Sequence, residues 1–176
     1  MAITANAIKE LREMTSCGVI ECKKALEESN GDIKKAKEIL RQRGLEIAAK
    51  KGSREAKEGR VETYIHPGNR IGVLVEVNCE TDFVAKNEDF CKFTRDVALH
   101  IAAMNPKFIK REDVPQEFLA KQENADKYIE EVCLLEQPFV KDPSKTIKDR
   151  LLELVASIGE NIYIQRFIRY KVNDVE

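Results

Sequence analysis

From residue 4 onward, apolar positions recur at helical spacing. Thr4 is placed to cap a first helix that carries Ile8 and Leu11 and closes at Met14–Thr15. A tight Ser16-Cys17-Gly18 turn leads into a second helix whose apolar stripe is Val19, Cys22 and Leu26. Asn30-Gly31 supplies a left-handed stop, and Asp32 caps a third helix. That helix buries Ile33, Ala36, Ile39 and Leu40 and is expected to end at Gly44. A segment this short is near the lower limit for folding alone, so residues 1–45 read as a satellite three-helix module.

Residues 46–59 are rich in Ala, Lys and Gly and poor in large apolar groups, which predicts a basic, partly helical, mobile linker. The period then drops to two. VETYIH and IGVLVEV flank Pro67-Gly68-Asn69, a strong hairpin signal, and Ile71, Val73, Val75, Val77 and Cys79 share one face. Helical spacing returns over about 88–104, where Phe90, Phe93, Val97, Ile101 and Met104 form a stripe ended by Pro106. His100 falls beside that stripe and reads as a hydrogen-bonded core histidine. An acidic segment with its own helical pattern (Phe118, Leu119, Tyr128, Val132, Leu135) follows. Thr146, with Asp149 three residues on, opens a helix bearing Ile147, Leu151, Leu154, Val155 and Ile158, closed by Gly159. The run NIYIQRFIRYKV predicts a last strand. Residues 60–176 are thus expected to form an α+β core, a small and mostly antiparallel sheet with helices packed on one face.

Charge changes this picture locally rather than globally. The formal net charge is −1, so no overall field draws nucleic acid. Residues 41–60 nevertheless hold seven basic against three acidic side chains, and residues 112–137 hold eight acidic against two basic. Such polarity marks either a directed surface or solvated helix faces. The linker lacks interleaved aromatics for stacking bases, which argues against RNA binding. No apolar run approaches the ~20 residues that span a bilayer, and the amphipathic N-terminus is not a signal peptide. A cytoplasmic protein with reduced thiols is expected.

The chemistry of catalysis is missing. No phosphate-cradling GxxxxGK[ST] or GxGxxG occurs, nor GxSxG, HExxH or a recognisable Cys–His pairing. The five cysteines form no CxxC and the two histidines lie far apart, so no metal site and no cofactor are expected. What stands out is the stretch NCETDFVAKNEDF at 78–90, where an alternating strand gives way to Asp82 followed at once by Phe83. The aromatic either seals the hairpin core, with Asp82 capping the next turn, or stands out for a partner to bury. Aromatic anchors flanked by polar groups dominate protein interfaces.

The stretches ELREMTSCGVIECKKALEESNGDIKKAKEILRQRG, AAKKGSREAKEG, NCETDFVAKNEDF, LLEQPFVKD and IGENIYIQRFIRY together resemble bacterial elongation factor Ts, in order and over nearly the whole chain. The resemblance implies a guanine-nucleotide exchange factor for elongation factor Tu rather than an enzyme making covalent changes. Its first helices are similar to a module of the ubiquitin-associated type. It also implies that Thr81, Asp82, Phe83 and Val84 enter the GTPase domain, the aromatic wedging between two helices and the acid disturbing the Mg²⁺ region. Metal holds phosphate to protein, so its displacement loosens GDP, and the coupling is reciprocal. Leu11, Arg12, Gly18, Val19 and Ile20 would form a second contact.

The chain departs from the family pattern in four places. Ser16-Cys17 stands where Gly-Ala is commoner, Val19-Ile20 where a Met pair is, and Gln165 where an Arg is usual. The acidic segment after Phe118 is shorter than in many relatives. Like other short members the chain carries one core repeat, and short members are expected to dimerise through the core. IYIQRFIRY offers an exposed strand edge for that purpose. The competing reading is a non-exchanging adaptor that binds another protein through the three-helix module.

Overall fold

The structure is a computed structural model that describes residues 3–15 and 17–174, with all their side chains except that of Ala48. Ser16, and with it the first residue of the expected Ser-Cys-Gly turn, lies outside the described residues. Helix α1 (Ala5–Thr15) starts at Thr4, whose Oγ1 accepts the Ala7 N–H at 3.2 Å. Helix α2 (Val19–Glu28) stops at Asn30 and Gly31, with φ of 55° and 86°, and the Gly31 N–H reaches back to the Leu26 carbonyl at 2.8 Å. Asp32 caps α3 (Ile33–Lys51) by accepting the Lys35 N–H at 3.0 Å. Leu11, Cys22, Ala25, Leu26, Ala36 and Leu40 close a small core among the three helices. Val19, expected on the buried stripe, instead faces solvent.

Helix α3 corrects the expected stop at Gly44. The helix continues to Lys51, and Gly44 is a buried point of close approach inside it. Its missing side chain lets α3 lie against the later helix that contains Leu152 and Ala156. The glycine is therefore a packing device rather than a terminator.

Strands β1 (Glu58–Ile65) and β2 (Ile71–Cys79) pair antiparallel across a turn in which Gly68 and Asn69 have φ of 92° and 54°. Next come the single turn α4 (Asp82–Ala85) and the long α5 (Glu88–Met104). The Asn87 side chain caps α5 by accepting the Asp89 N–H at 2.8 Å, and Asn105 ends it at φ 50°. The acidic segment folds into α6 (Gln116–Leu119) and α7 (Ala125–Val132), which enclose a minor cluster of Val114, Ile129 and Cys133. Two short strands that periodicity does not reveal, β3 (Pro138–Phe139) and β4 (Asp142–Thr146), lead into α8 (Ile147–Ile158) and the last strand β5 (Tyr163–Lys171).

Strand order in the main sheet is β1-β2-β5, all antiparallel, with a bulge in the β2–β5 pairing at Glu76/Val77. The inner face of β2 (Val73, Val75, Val77, Cys79) packs on Phe90, Phe93, Val97 and Ile101 of α5 and on Leu154 and Val155 of α8. Met104, the last position of the expected α5 stripe, is exposed. The outer face is uncovered and carries Val61, Ile65, Leu74, Ile168 and Tyr170. His100 is fully buried: the Val140 N–H donates to its Nδ1 at 3.2 Å, so Nε2 holds the proton and donates to Gln137 Oε1 at 3.0 Å. Lys145 of β4 joins the helical module to the core, donating to the Met14 carbonyl at the end of α1 and to Glu153 at 2.6 Å. That arrangement places a cation at a helix C-terminus, where it is favoured.

Candidate partner-binding site

Strand β2 ends with Cys79 inside the core, and the chain then leaves the sheet. Thr81 takes an extended conformation (φ −127°, ψ 153°) and its hydroxyl accepts the Val84 N–H at 3.4 Å, which starts α4. A single helical turn has only two sides. Val84 and Ala85 take the inner one and pack on the main core, so Asp82 and Phe83 are turned outward. Phe83 is 82% exposed. The open question about this aromatic is thus answered by its neighbours, which already fill the space beneath the hairpin.

Electrostatics keep the outer surface of the turn charged. Asp82 and Lys86 pair at 2.7 Å one turn apart, and that hydrogen bond lowers the carboxyl pKa and raises the ammonium pKa. Cys79 lies beneath the loop, its thiol pushed up to about 11 by burial and then by Glu160, so it is no nucleophile at neutral pH.

The root of the turn is tied to the α8–β5 junction by two carboxylates acting in opposite directions. Glu160 Oε2 accepts the N–H groups of Glu80 and Thr81 at 3.0 and 3.1 Å, and its Oε1 accepts the Thr81 hydroxyl at 2.7 Å. Glu80 Oε1 accepts the Asn161 N–H at 2.6 Å, which lowers the Glu80 pKa, and Glu80 Oε2 faces Arg54 at 3.5 Å. The same place holds the segment before β1. Asn161 Nδ2 donates to the Arg54 carbonyl at 2.8 Å, and Asn78 Nδ2 to that of Ala56 at 3.3 Å. The latter half of the expected linker is therefore hydrogen-bonded to the core, not free. Gly59, the second residue of β1, has φ 155°, and a Cβ there would stand 2.4 Å from the Val77 carbonyl oxygen. Glu160 and Asn161 went unnoticed in the sequence because nothing local couples positions eighty residues apart.

The other expected site residues lie on the helical module. Arg12 and Gly18 are exposed, and Val19 and Ile20 present 51% and 69% of their surface. Leu11 is fully buried in the module core, so it can only support that surface from beneath. Gly18 is the N-cap of α2, with extended backbone and no side chain to fill the space ahead of Val19. Gln165 is exposed on β5. Among the described residues no cluster of three His, Cys, Asp or Glu could hold a metal, and no helix is long and apolar enough to cross a membrane.

A sequence-family model described as Elongation factor TS matches residues 2–126 and 124–172. The chain is 52% identical to the elongation factor Ts of Carboxydothermus hydrogenoformans, covering 98% of this chain and 90% of that one. It is 50% identical to that of Thermodesulfovibrio yellowstonii, over 100% and 99% of the two chains. For Caldanaerobacter subterraneus subsp. tengcongensis the figures are 51%, 96% and 96%. The first of these alignments spans 195 positions against 176 residues here, so it contains gaps on this chain's side. The two matched segments overlap at 124–126, at the start of α7.

Proposed function

The chain belongs to the elongation factor Ts family, and on that premise we propose that it promotes GDP release and GTP exchange on elongation factor Tu with the Thr81–Val84 turn as its wedge. Membership makes it a translation elongation factor; the exchange step and its partner are the proposal. The observation that carries it is Phe83, held outward at 82% exposure by a turn whose other side is anchored in the core. Leaving a Phe in water forgoes ~1.5–3 kcal/mol of burial, which becomes available when a partner encloses the ring. Asp82 accompanies it as the acid directed at the Mg²⁺ region.

One aromatic is not sufficient. A thousandfold faster release requires roughly 4 kcal/mol off the barrier, so other contacts must supply the difference. Val19 and Ile20, apolar and exposed beside Arg12 and Gly18, are the surface we assign to that contact. Exchange is then catalysed by differential binding with no covalent step and no cofactor, in the cytoplasm. We divide the work among residues 1–45 as a docking module, 46–59 as its basic connection and 60–176 as the core.

We also assign homodimerisation to this core. Strand β5 is a sheet edge, and the uncovered outer face beside it carries Leu74, Ile168 and Tyr170 in adjacent register with Ile65 and Val61 close by. Contiguous exposed apolar surface of this kind marks an interface. Light scattering at micromolar concentration should give twice the chain mass, and Ile168→Glu should give the monomer; a wild-type monomer removes the assignment.

Release of fluorescent GDP from elongation factor Tu tests the main proposal. Wild type should accelerate release strongly, and Phe83→Ala should be folded but impaired. A wild type that leaves the release rate unchanged sinks the exchange reading and favours an adaptor that uses Val19 and Ile20 for another protein.

A further inference from the structure

We propose that Glu160 is a positioning residue of the exchange wedge, acting through Thr81 to fix the direction in which Phe83 is presented; this deepens the exchange reading and rests on it. A four-residue helix has no stability of its own, since a first turn fixes many dihedrals for few hydrogen bonds. Something outside it must hold it. The carboxylate of Glu160 accepts the two N–H groups that precede the turn, at 3.0 and 3.1 Å, and the Thr81 hydroxyl at 2.7 Å.

The third of these bonds sets a direction. A hydroxyl has one proton, and with that proton committed to Glu160 the Thr81 oxygen is left to accept the Val84 N–H. A carboxylate is acceptor-only, so it cannot reverse this polarity as an amide could. Charge-assisted bonds are also the stronger kind. Glu80 completes the fastening from the other side by accepting the Asn161 N–H at 2.6 Å. Glu160 follows Gly159, the left-handed stop of α8, and precedes β5, the strand paired with β2. The wedge is thereby referenced to the central sheet rather than to its own flexible loop. A preordered anchor spends less of its contact energy on ordering when it binds.

The test combines exchange kinetics with amide hydrogen exchange on the full chain. Glu160→Ala should lower the maximal rate of fluorescent-GDP release from elongation factor Tu about ten- to hundredfold. Placed in a Phe83→Ala background, the same substitution should cost less than about twofold, because the two residues act in series. Glu160→Gln, which keeps the shape and one acceptor oxygen, should restore part of the rate. In the free protein, Glu160→Ala should lose protection at the amides of Glu80, Thr81 and Val84 while α5 keeps its own. Thr81→Val removes the hydroxyl without reaching the core and should show the same kinetic pattern if Glu160→Ala folds poorly. Full-speed exchange by Glu160→Ala, an equal penalty with and without Phe83, or unchanged amide protection each overturns the proposal. If wild type itself fails to release GDP, the exchange reading falls, whereas lost protection at these amides would still show Glu160 fastening the turn.

Discussion

Gly44 of α3 lies so close to the backbone of Leu152 in α8 that a Cβ at position 44 would stand 3.1 Å from the Leu152 carbonyl oxygen. Replacing a helix-interior glycine by alanine ordinarily stabilises by up to ~1 kcal/mol. Here the obstacle is the backbone of a second helix, which cannot swing aside, and overpacking costs about 1–3 kcal/mol. Gly44→Ala should therefore lower Tm by a few degrees, at about 2–4 °C per kcal/mol for a chain of this size. Calorimetry that shows the variant several degrees more stable would mean that α3 and α8 do not meet as described.

Phe83→Ala separates stability from activity. The ring lies outside the core, so thermal unfolding should shift by no more than the ~0.5 kcal/mol typical of surface changes. Exchange, by contrast, should fall about ten- to hundredfold, the factor corresponding to the ~1.5–3 kcal/mol of lost burial in the partner. A variant that unfolds early would show the aromatic to be structural after all.

The ends of α8 carry separable contributions. Thr146 Oγ1 accepts the Asp149 N–H at 3.1 Å while Asp149 accepts the Thr146 N–H at 3.0 Å. Thr146→Ala should cost about 1 kcal/mol. At the other end Gly159 has φ 81°, where a side chain is disfavoured by roughly 1–2 kcal/mol. Gly159→Ala should also disturb Glu160 and so reduce exchange more than Thr146→Ala does. Denaturant titration with parallel exchange assays would reveal equal activity losses if this distinction were wrong.

His100 gives the pH dependence a definite sign. Burial lowers its pKa below the ordinary value of 6.5, with the Gln137 hydrogen bond opposing. The unfolded state then binds the proton first, so stability is fully present above about pH 6.5 and is lost as pH falls below it toward the folded-state pKa. The carboxylates with lowered pKa, Glu38, Glu80, Asp82 and Asp142, act in a separate window, below their ordinary values of 4.5, 4.5, 3.8 and 3.8. Unfolding followed between pH 7.5 and 5 should show a decline that His100→Gln flattens. An equally steep decline in that variant would assign the effect elsewhere.

Much of the fold was legible because its signals are short-range. The stripes of α5 and α8, the β1–β2 hairpin with its Gly68-Asn69 turn, and the caps at Thr4, Asp32, Thr146 and Gly159 all lie within one turn or one strand of the residues that announce them. Gly44 misled for the same reason: a glycine after an apolar stripe looks like a stop until the helix that needs its bareness is in place. Strands β3 and β4 are too short for any period to emerge. In the site, the Thr81–Val84 turn was singled out by resemblance, whereas Leu11, expected at the second contact, is buried beneath it, and Val19, expected both on the apolar stripe and at that contact, is exposed.

The order of amino acids by itself determined which segments wind, which extend and where each is capped, since those choices are settled by dihedral preference and contacts a few residues apart. Only the assembled tertiary structure decided that Val84 and Ala85 face inward so that Phe83 faces out, and that Glu160 grips a turn eighty positions away. Both depend on space being filled and hydrogen bonds being satisfied by partners from elsewhere in the chain, which no local pattern encodes.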